Sequence, residues 1–196
     1  NAVEHGHPEV ARWLYTNAPH EVNDRVLSES LLQATVYGHL DAMKWLMERY
    51  PSSYREQEDV ILESAVQHGH LTIADFLSGL NAPSKTTTKL MDLAAENGHW
   101  NMLEWLHGRW GCSCSTDAMD AAATNGYSEV VKWLNYHRTE GCTTAAMDGA
   151  AQNGHLEVIK WLYRHRSEGC TGDAIVNAAF GYLVRVVAWL QDHYPE

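Results

Sequence analysis

Apolar residues recur along this chain in a fixed two-part pattern. Seven windows align on an aromatic–leucine pair, at Trp13-Leu14, Trp45-Leu46, Phe76-Leu77, Trp105-Leu106, Trp133-Leu134, Trp161-Leu162 and Trp189-Leu190. Eleven residues before each aromatic stands an alanine: Ala2, Ala34, Ala65, Ala94, Ala122, Ala150 and Ala178. Seven residues before it stands a glycine in six windows (Gly6, Gly38, Gly69, Gly98, Gly126, Gly154), and in the last the glycine slips one place to Gly181. Each window therefore predicts two short helices joined at the glycine.

Start and stop signals agree with this division. Six residues before the alanine stand Ser28, Asp59, Thr88, Thr116 and Thr144, which can cap the first helix, and Gly172 breaks that series. The second helix carries acid in its first turn (Glu9, Asp41, Glu129, Glu157) and a cation or histidine near its end (Arg49, Arg109, His137, His165, His193). Both placements suit the helix dipole. Pro19, Pro51, Pro83 and Pro195 are placed to close the second helix.

Residues 121–143 and 149–171 are near copies, 28 positions apart, and all variation in length falls between windows. One such unit has one apolar side and cannot bury it alone. Neighbours must stack, so each copy is the next copy's core. The predicted units are 1–27 (partial), 28–58, 59–87, 88–115, 116–143, 144–171 and 172–196.

The run AAQNGHLEVIKWL at 150–162 resembles the ankyrin repeat, whose core reads Ala-Ala-x-x-Gly-His-x-x-x-Val-x-x-Leu-Leu. The likeness spans the chain and is strongest at 88–171. The family's Thr-Pro-Leu-His helix start is replaced by Thr-x-Ala-Met-Asp at 116–120 and 144–148. The period is 28 residues where the family has about 33. The missing residues lie where the family builds a β-hairpin finger, leaving Glu140-Gly141-Cys142-Thr143. The resemblance implies an all-α, ankyrin-like helical-hairpin solenoid of about seven repeats with tight loops and little strand. It also implies a protein–protein interaction scaffold without enzymatic activity.

Winding the first helix at about 100° per residue puts Met147, Ala150 and Ala151 on a core side, with Ala146 at its margin. Ala145, Asp148 and Gln152 fall opposite. In ankyrin arrays that exposed side contributes to a concave binding surface. Its columns carry Glu63 and Gln67; Lys89, Asp92 and Glu96; Asp117, Asp120 and Thr124; Asp148 and Gln152; and Asp173. Seven carboxylates face one lysine there, and the earlier repeat offers Leu32, Val36 and Tyr37 instead. One reading is a groove, acidic from Glu63 onward with an apolar end near Tyr37, that receives a basic protein segment. The other is that Asp92, Asp120 and Asp148 stand in the family's histidine column and hydrogen-bond locally.

Composition narrows the partner. The 196 residues are 45% apolar and 20% charged, enough for a packed core, and the net charge is −11. Phosphate backbones are recognised by clustered cations, so nucleic acid is excluded as main partner and a basic or neutral protein surface is favoured. No apolar run is long enough to span a bilayer. Four cysteines in a chain of this length are no disulfide framework. An intracellular compartment, cytoplasmic or nuclear, follows from the cysteines and the missing signal-peptide pattern. The chain opens at Asn1 and reads as a piece of a longer protein.

Chemistry-bearing residues are mostly absorbed by the repeat. Of twelve histidines, His7, His39, His70, His99 and His155 form the turn column and His137, His165 and His193 the helix-end column. Stacked repeats place column members about 10 Å apart, too far to share an ion bound at about 2 Å. His107, Cys112 and Cys114 cluster within eight residues but lack a fourth ligand. The tryptophans beside leucine read as packing, whereas Trp100 and Trp110 fall outside that ladder as interaction candidates. No phosphate loop, Gly-x-Ser-x-Gly elbow or His-Glu-x-x-His occurs, and no cofactor is implied. The last window, from Tyr182 to Leu190, is apolar where sister repeats are polar, so a further repeat, a domain or another chain is expected to cover it. Two other settings fit the same binding physics: a regulatory or substrate-docking segment of a larger enzyme, and a pathogen effector that grips a host protein.

Overall fold

A computed structural model describes residues 23–80 and 87–194, together with residues 13, 16 and 17. Among the described residues there are thirteen helices and no strand. They fall into two compact units, residues 1–85 and 86–196. In the first unit α1 (Asp24–Val36) pairs with α2 (Leu40–Arg49), the short α3 (Pro51–Arg55) follows, and α4 (Glu58–Gln67) pairs with α5 (Leu71–Ser78). The second unit holds four pairs. These are α6 (Thr87–Glu96) with α7 (Trp100–Trp110), α8 (Thr116–Thr124) with α9 (Ser128–His137), α10 (Thr144–Gln152) with α11 (Leu156–His165), and α12 (Gly172–Phe180) with α13 (Val184–His193).

The caps stand one residue before the expected column. Ser115, Thr143 and Thr171 accept hydrogen bonds from the amides of Asp117, Ala145 and Asp173. Thr116 and Thr144 are instead the first helical residues, and Gly172 interrupts nothing because Thr171 continues the cap series. In the first unit Asn23 caps α1, so Ser28 lies inside that helix, and Asp59 is in the first turn of α4, behind its cap residue Gln57. Pro51 does not only close α2; it opens α3, where a fixed φ and a missing amide cost nothing. The columns at Ala2, Gly6, Glu9, Pro19, Pro83 and Pro195 lie outside the described residues.

The alanine column closes the turn. After α8 the amide of Gly126 donates to Ala123 and that of Tyr127 to Ala122; after α10 the amides of Gly154 and His155 donate to Ala151 and Ala150. This paired reverse bonding needs a left-handed residue at its centre, and Gly126 and Gly154 supply it at φ 78° and 79°. The same bonds close the last turn, from Tyr182 to Ala179 and Leu183 to Ala178. There the left-handed residue is Tyr182, at φ 56°, and Gly181 is an ordinary helix end at φ −78°. The glycine is displaced in sequence, but the turn is not.

Alanine-rich first helices pack closely. Ala146, Met147, Ala150 and Ala151 are buried, as are Ala118, Met119, Ala122 and Ala123 one repeat earlier. At Gly149 the approach is so near that an added Cβ would stand 2.0 Å from Thr124 Oγ1. Second helices complete the core with Leu106, Leu134 and Leu162, each at most 1% exposed. Burying a leucine contributes about 1.5–3 kcal/mol, so these columns carry the stack.

Candidate interaction surface

The aspartate column meets the cap column. Asp120 Oδ1 accepts from the amide of Thr143 at 2.8 Å, and its Oδ2 accepts from the Thr143 hydroxyl at 2.6 Å. Asp92 holds the amide and hydroxyl of Ser115 at 2.8 and 2.9 Å, and Asp148 holds those of Thr171 at the same two distances. Each cap hydroxyl thus donates to the preceding repeat while its oxygen accepts from its own helix. Asp120 is itself buried. The local hydrogen bonding considered for this column takes the form of a tie between repeats.

Other columns reach across as well. Asn125 donates to the carbonyl of Glu96 at 2.8 Å and Asn153 to that of Thr124 at 3.1 Å, which satisfies carbonyls at the end of the preceding first helix. In the loops Arg138 pairs with Glu140 at 2.5 Å, and Arg166 pairs with Glu168. Glu140 also accepts from the amides of Thr139 and Cys114, the latter one repeat back. The Arg138 guanidinium holds the Glu140 carboxyl at about 2. Neither feature is among the columns predicted above, although Asn before the turn glycine and Arg-x-Glu before the cap each recur at the repeat spacing.

The helix-end histidines lie flat on the tryptophans four residues before them. His137, His165 and His193 stack at ring separations of 4.6, 4.4 and 4.1 Å on Trp133, Trp161 and Trp189. In each, Nδ1 sits 2.8–2.9 Å from that tryptophan's carbonyl oxygen. Among the described residues no three His, Cys, Asp or Glu side chains gather as a metal set. Cys112, Cys114 and Cys142 are buried free thiols, pushed up to about 11 by burial.

The remaining columns divide between the units. In the first, Leu32, Val36 and Glu63 are half-buried and Tyr37 and Gln67 are exposed. In the second, Lys89, Glu96, Asp117, Gln152 and Asp173 are exposed, while Thr124 is half-buried and donates to the Asp120 carbonyl. Trp100 is exposed at the start of α7, whereas Trp110 packs edge-on against Trp105 at 4.9 Å. Among the described residues the most accessible large apolar side chains are at the end of the second unit: Phe180, Tyr182 and Val184 are 80%, 89% and 75% accessible.

Stacked helix pairs, a left-handed turn after each first helix and fixed inter-repeat ties together define the repeat. A family model described as ankyrin repeats in three copies matches residues 90–173. Residues 90–173 belong to the ankyrin repeat family. Beyond that segment, the crystal structure of the human ASB11 ankyrin repeat domain is similar at a TM-score of 0.62 and 18% identity, over 96% of this chain and 95% of that one. At that identity the likeness shows the fold, which is all-α and of the ankyrin repeat type. No match was found among curated proteins. Ankyrin repeats are in general modules of protein–protein interaction, and the fold is typically non-catalytic. No helix among the described residues is long and apolar enough to cross a membrane.

Proposed function

We propose that this ankyrin chain is a protein-recognition scaffold without chemistry of its own, and that its second unit presents exposed carboxylates to a basic segment of a partner. The observation that supports this reading is a division of labour among the acids. Asp92, Asp120 and Asp148 are committed to the caps of the next repeat. Glu96, Asp117 and Asp173 are exposed, and no ion pair neutralises them among the described residues. With Gln152 they form the polar side of the first helices, in a chain of net charge −11. Charge of one sign on such a face raises the encounter rate with an opposite charge and fixes register more than it adds affinity.

The test is affinity capture with the wild-type chain beside a Glu96→Gln/Asp117→Asn/Asp173→Asn variant, with helicity checked by circular dichroism. Basic partners captured by the wild type and lost from the folded variant, and weakened by salt in the wild type, are the expected result. A partner list unchanged by the three substitutions would move the site elsewhere.

A further inference from the structure

At four of the ankyrin turns, Gly38, Gly98, Gly126 and Gly154, the left-handed position is also the place where the next repeat sits down. A Cβ built at Gly38 would lie 2.8 Å from the His70 ring, and at Gly98 2.8 Å from the Tyr127 ring. At Gly126 it would lie 2.5 Å from His155 Nδ1, and at Gly154 3.1 Å from Leu183. In every case the covering residue is the one that follows the left-handed position of the next repeat. Glycine suits these four turns for its conformation, and at Gly38, Gly98 and Gly126 an added Cβ would also force the covering ring to shift, with a tighter-than-usual contact at Gly154.

The last turn of the second unit keeps the conformation and drops the vacancy. Its hydrogen bonds are those of the other turns, and Tyr182 adopts φ 56°, the one positive φ at a non-glycine residue among those described. A tyrosine therefore projects from the spot that a His, Tyr or Leu of a following repeat would occupy. It is 89% accessible. A backbone outlier of this kind costs free energy and persists only where the surroundings over-determine it, as the two turn bonds do here.

We propose that Tyr182 is a stop for the array: a further ankyrin repeat of the kind present in this chain cannot close on α12 and α13 in the register of the others. The rule applies to a repeat joined in sequence and to one brought by another molecule. It removes one of the three coverings expected for the apolar end, and leaves Phe180, Tyr182 and Val184 to a surface of different geometry.

The register allows a direct experiment. Glu196 corresponds to Glu168 and Glu140 in the repeat spacing, so a copy of residues 141–165 attached after Glu196 places a copy of His155 over position 182. The extended full chain is made in the wild-type background, with Tyr182→Gly, and with the covering histidine of the added repeat changed to glycine. Amide exchange of the added helices and the urea dependence of unfolding are measured on all three. The wild-type extension is expected to exchange freely. The Tyr182→Gly extension is expected to exchange about tenfold more slowly or better, with a larger denaturant slope from the added buried surface. Partial protection in the covering-histidine variant supports the same contact. Equal protection of the added repeat in the wild-type and Tyr182→Gly backgrounds would overturn the proposal.

Discussion

Asp120 in one repeat holds both the amide and the hydroxyl of Thr143 in the next, one with each carboxylate oxygen, at 2.8 and 2.6 Å. The pair joins local structure to stacking, because Thr143 is simultaneously the N-cap of α10. Replacing Asp120 with alanine leaves a part-buried amide and hydroxyl without acceptors, at about 1–3 kcal/mol for each unsatisfied group. Asp120→Ala is therefore expected to destabilise the chain by about 2–4 kcal/mol. Thr143→Ala loses the cap and the hydroxyl half of the tie but keeps the amide bond to Asp120, about 1–2 kcal/mol. The two share one interaction, so the double variant should fall short of their sum in urea unfolding. Strict additivity would mean that the hydroxyl half of the tie carries no energy. Asp148 is half-buried where Asp120 is buried, and the same changes there should cost less.

This tie shows what could and could not be read from sequence. The helix pairs were legible because the aromatic, alanine and glycine columns keep a fixed spacing, and the buried set of α10 followed from the helical period. The cap was misplaced by one residue because Ser115-Thr116 and Thr143-Thr144 offer two candidate hydroxyls in succession. Only Thr171-Gly172 separates them, since a glycine has no side chain with which to cap. The tie itself joins residues 23 positions apart, and it becomes visible only once the stacking register is known. At the last turn the glycine column points to Gly181, whereas the backbone follows hydrogen-bond spacing and places Tyr182 there.

At Gly149 two effects oppose each other. Inside a helix, glycine to alanine ordinarily stabilises by about 1 kcal/mol. Here the new methyl would stand 2.0 Å from Thr124 Oγ1 and 2.9 Å from its Cβ. Overpacking of this kind costs about 1–3 kcal/mol, so Gly149→Ala should be destabilising despite its helix propensity. Combining it with Thr124→Ala removes the hydroxyl and relieves part of the loss. Thermal unfolding of the four-member cycle measures this. A stabilised Gly149→Ala single variant would mean that α8 and α10 separate more readily than their packing indicates.

Glu140 makes stability depend on acid. Its partner Arg138 holds the carboxyl at about 2, below its ordinary 4.5. Between those values the unfolded chain binds a proton that the folded chain refuses. The contribution is therefore complete above about pH 4.5 and is lost as pH falls toward 2. The pair is near the surface and partly screened, so Glu140→Gln should cost about 1 kcal/mol at neutral pH. The gap between wild type and variant should narrow through the acid range and close near its lower end. A gap independent of pH would mean that the carboxylate charge is not what stabilises the loop, since a neutral amide oxygen can still accept from the Cys114 and Thr139 amides.

The thiols report on the tie without perturbing it. Cys142 directly precedes Thr143, is 8% exposed, and like Cys112 and Cys114 has its thiol pushed up to about 11. Burial thus disfavours the thiolate, which is the reactive form. Cys170 is only half-buried and more accessible. In native buffer a maleimide or disulfide reagent should therefore modify Cys170 first, with the other three following at rates set by opening of the fold. In the Asp120→Asn variant the amide and hydroxyl of Thr143 lose their charged acceptor, and Cys142 should be modified faster while Cys112, outside that tie, changes little. Peptide mass spectrometry after timed labelling separates the four sites. If Cys142 and Cys112 accelerate together, Asp120 stabilises the unit as a whole; if Cys142 alone responds, the tie between α8 and the start of α10 opens as a local event.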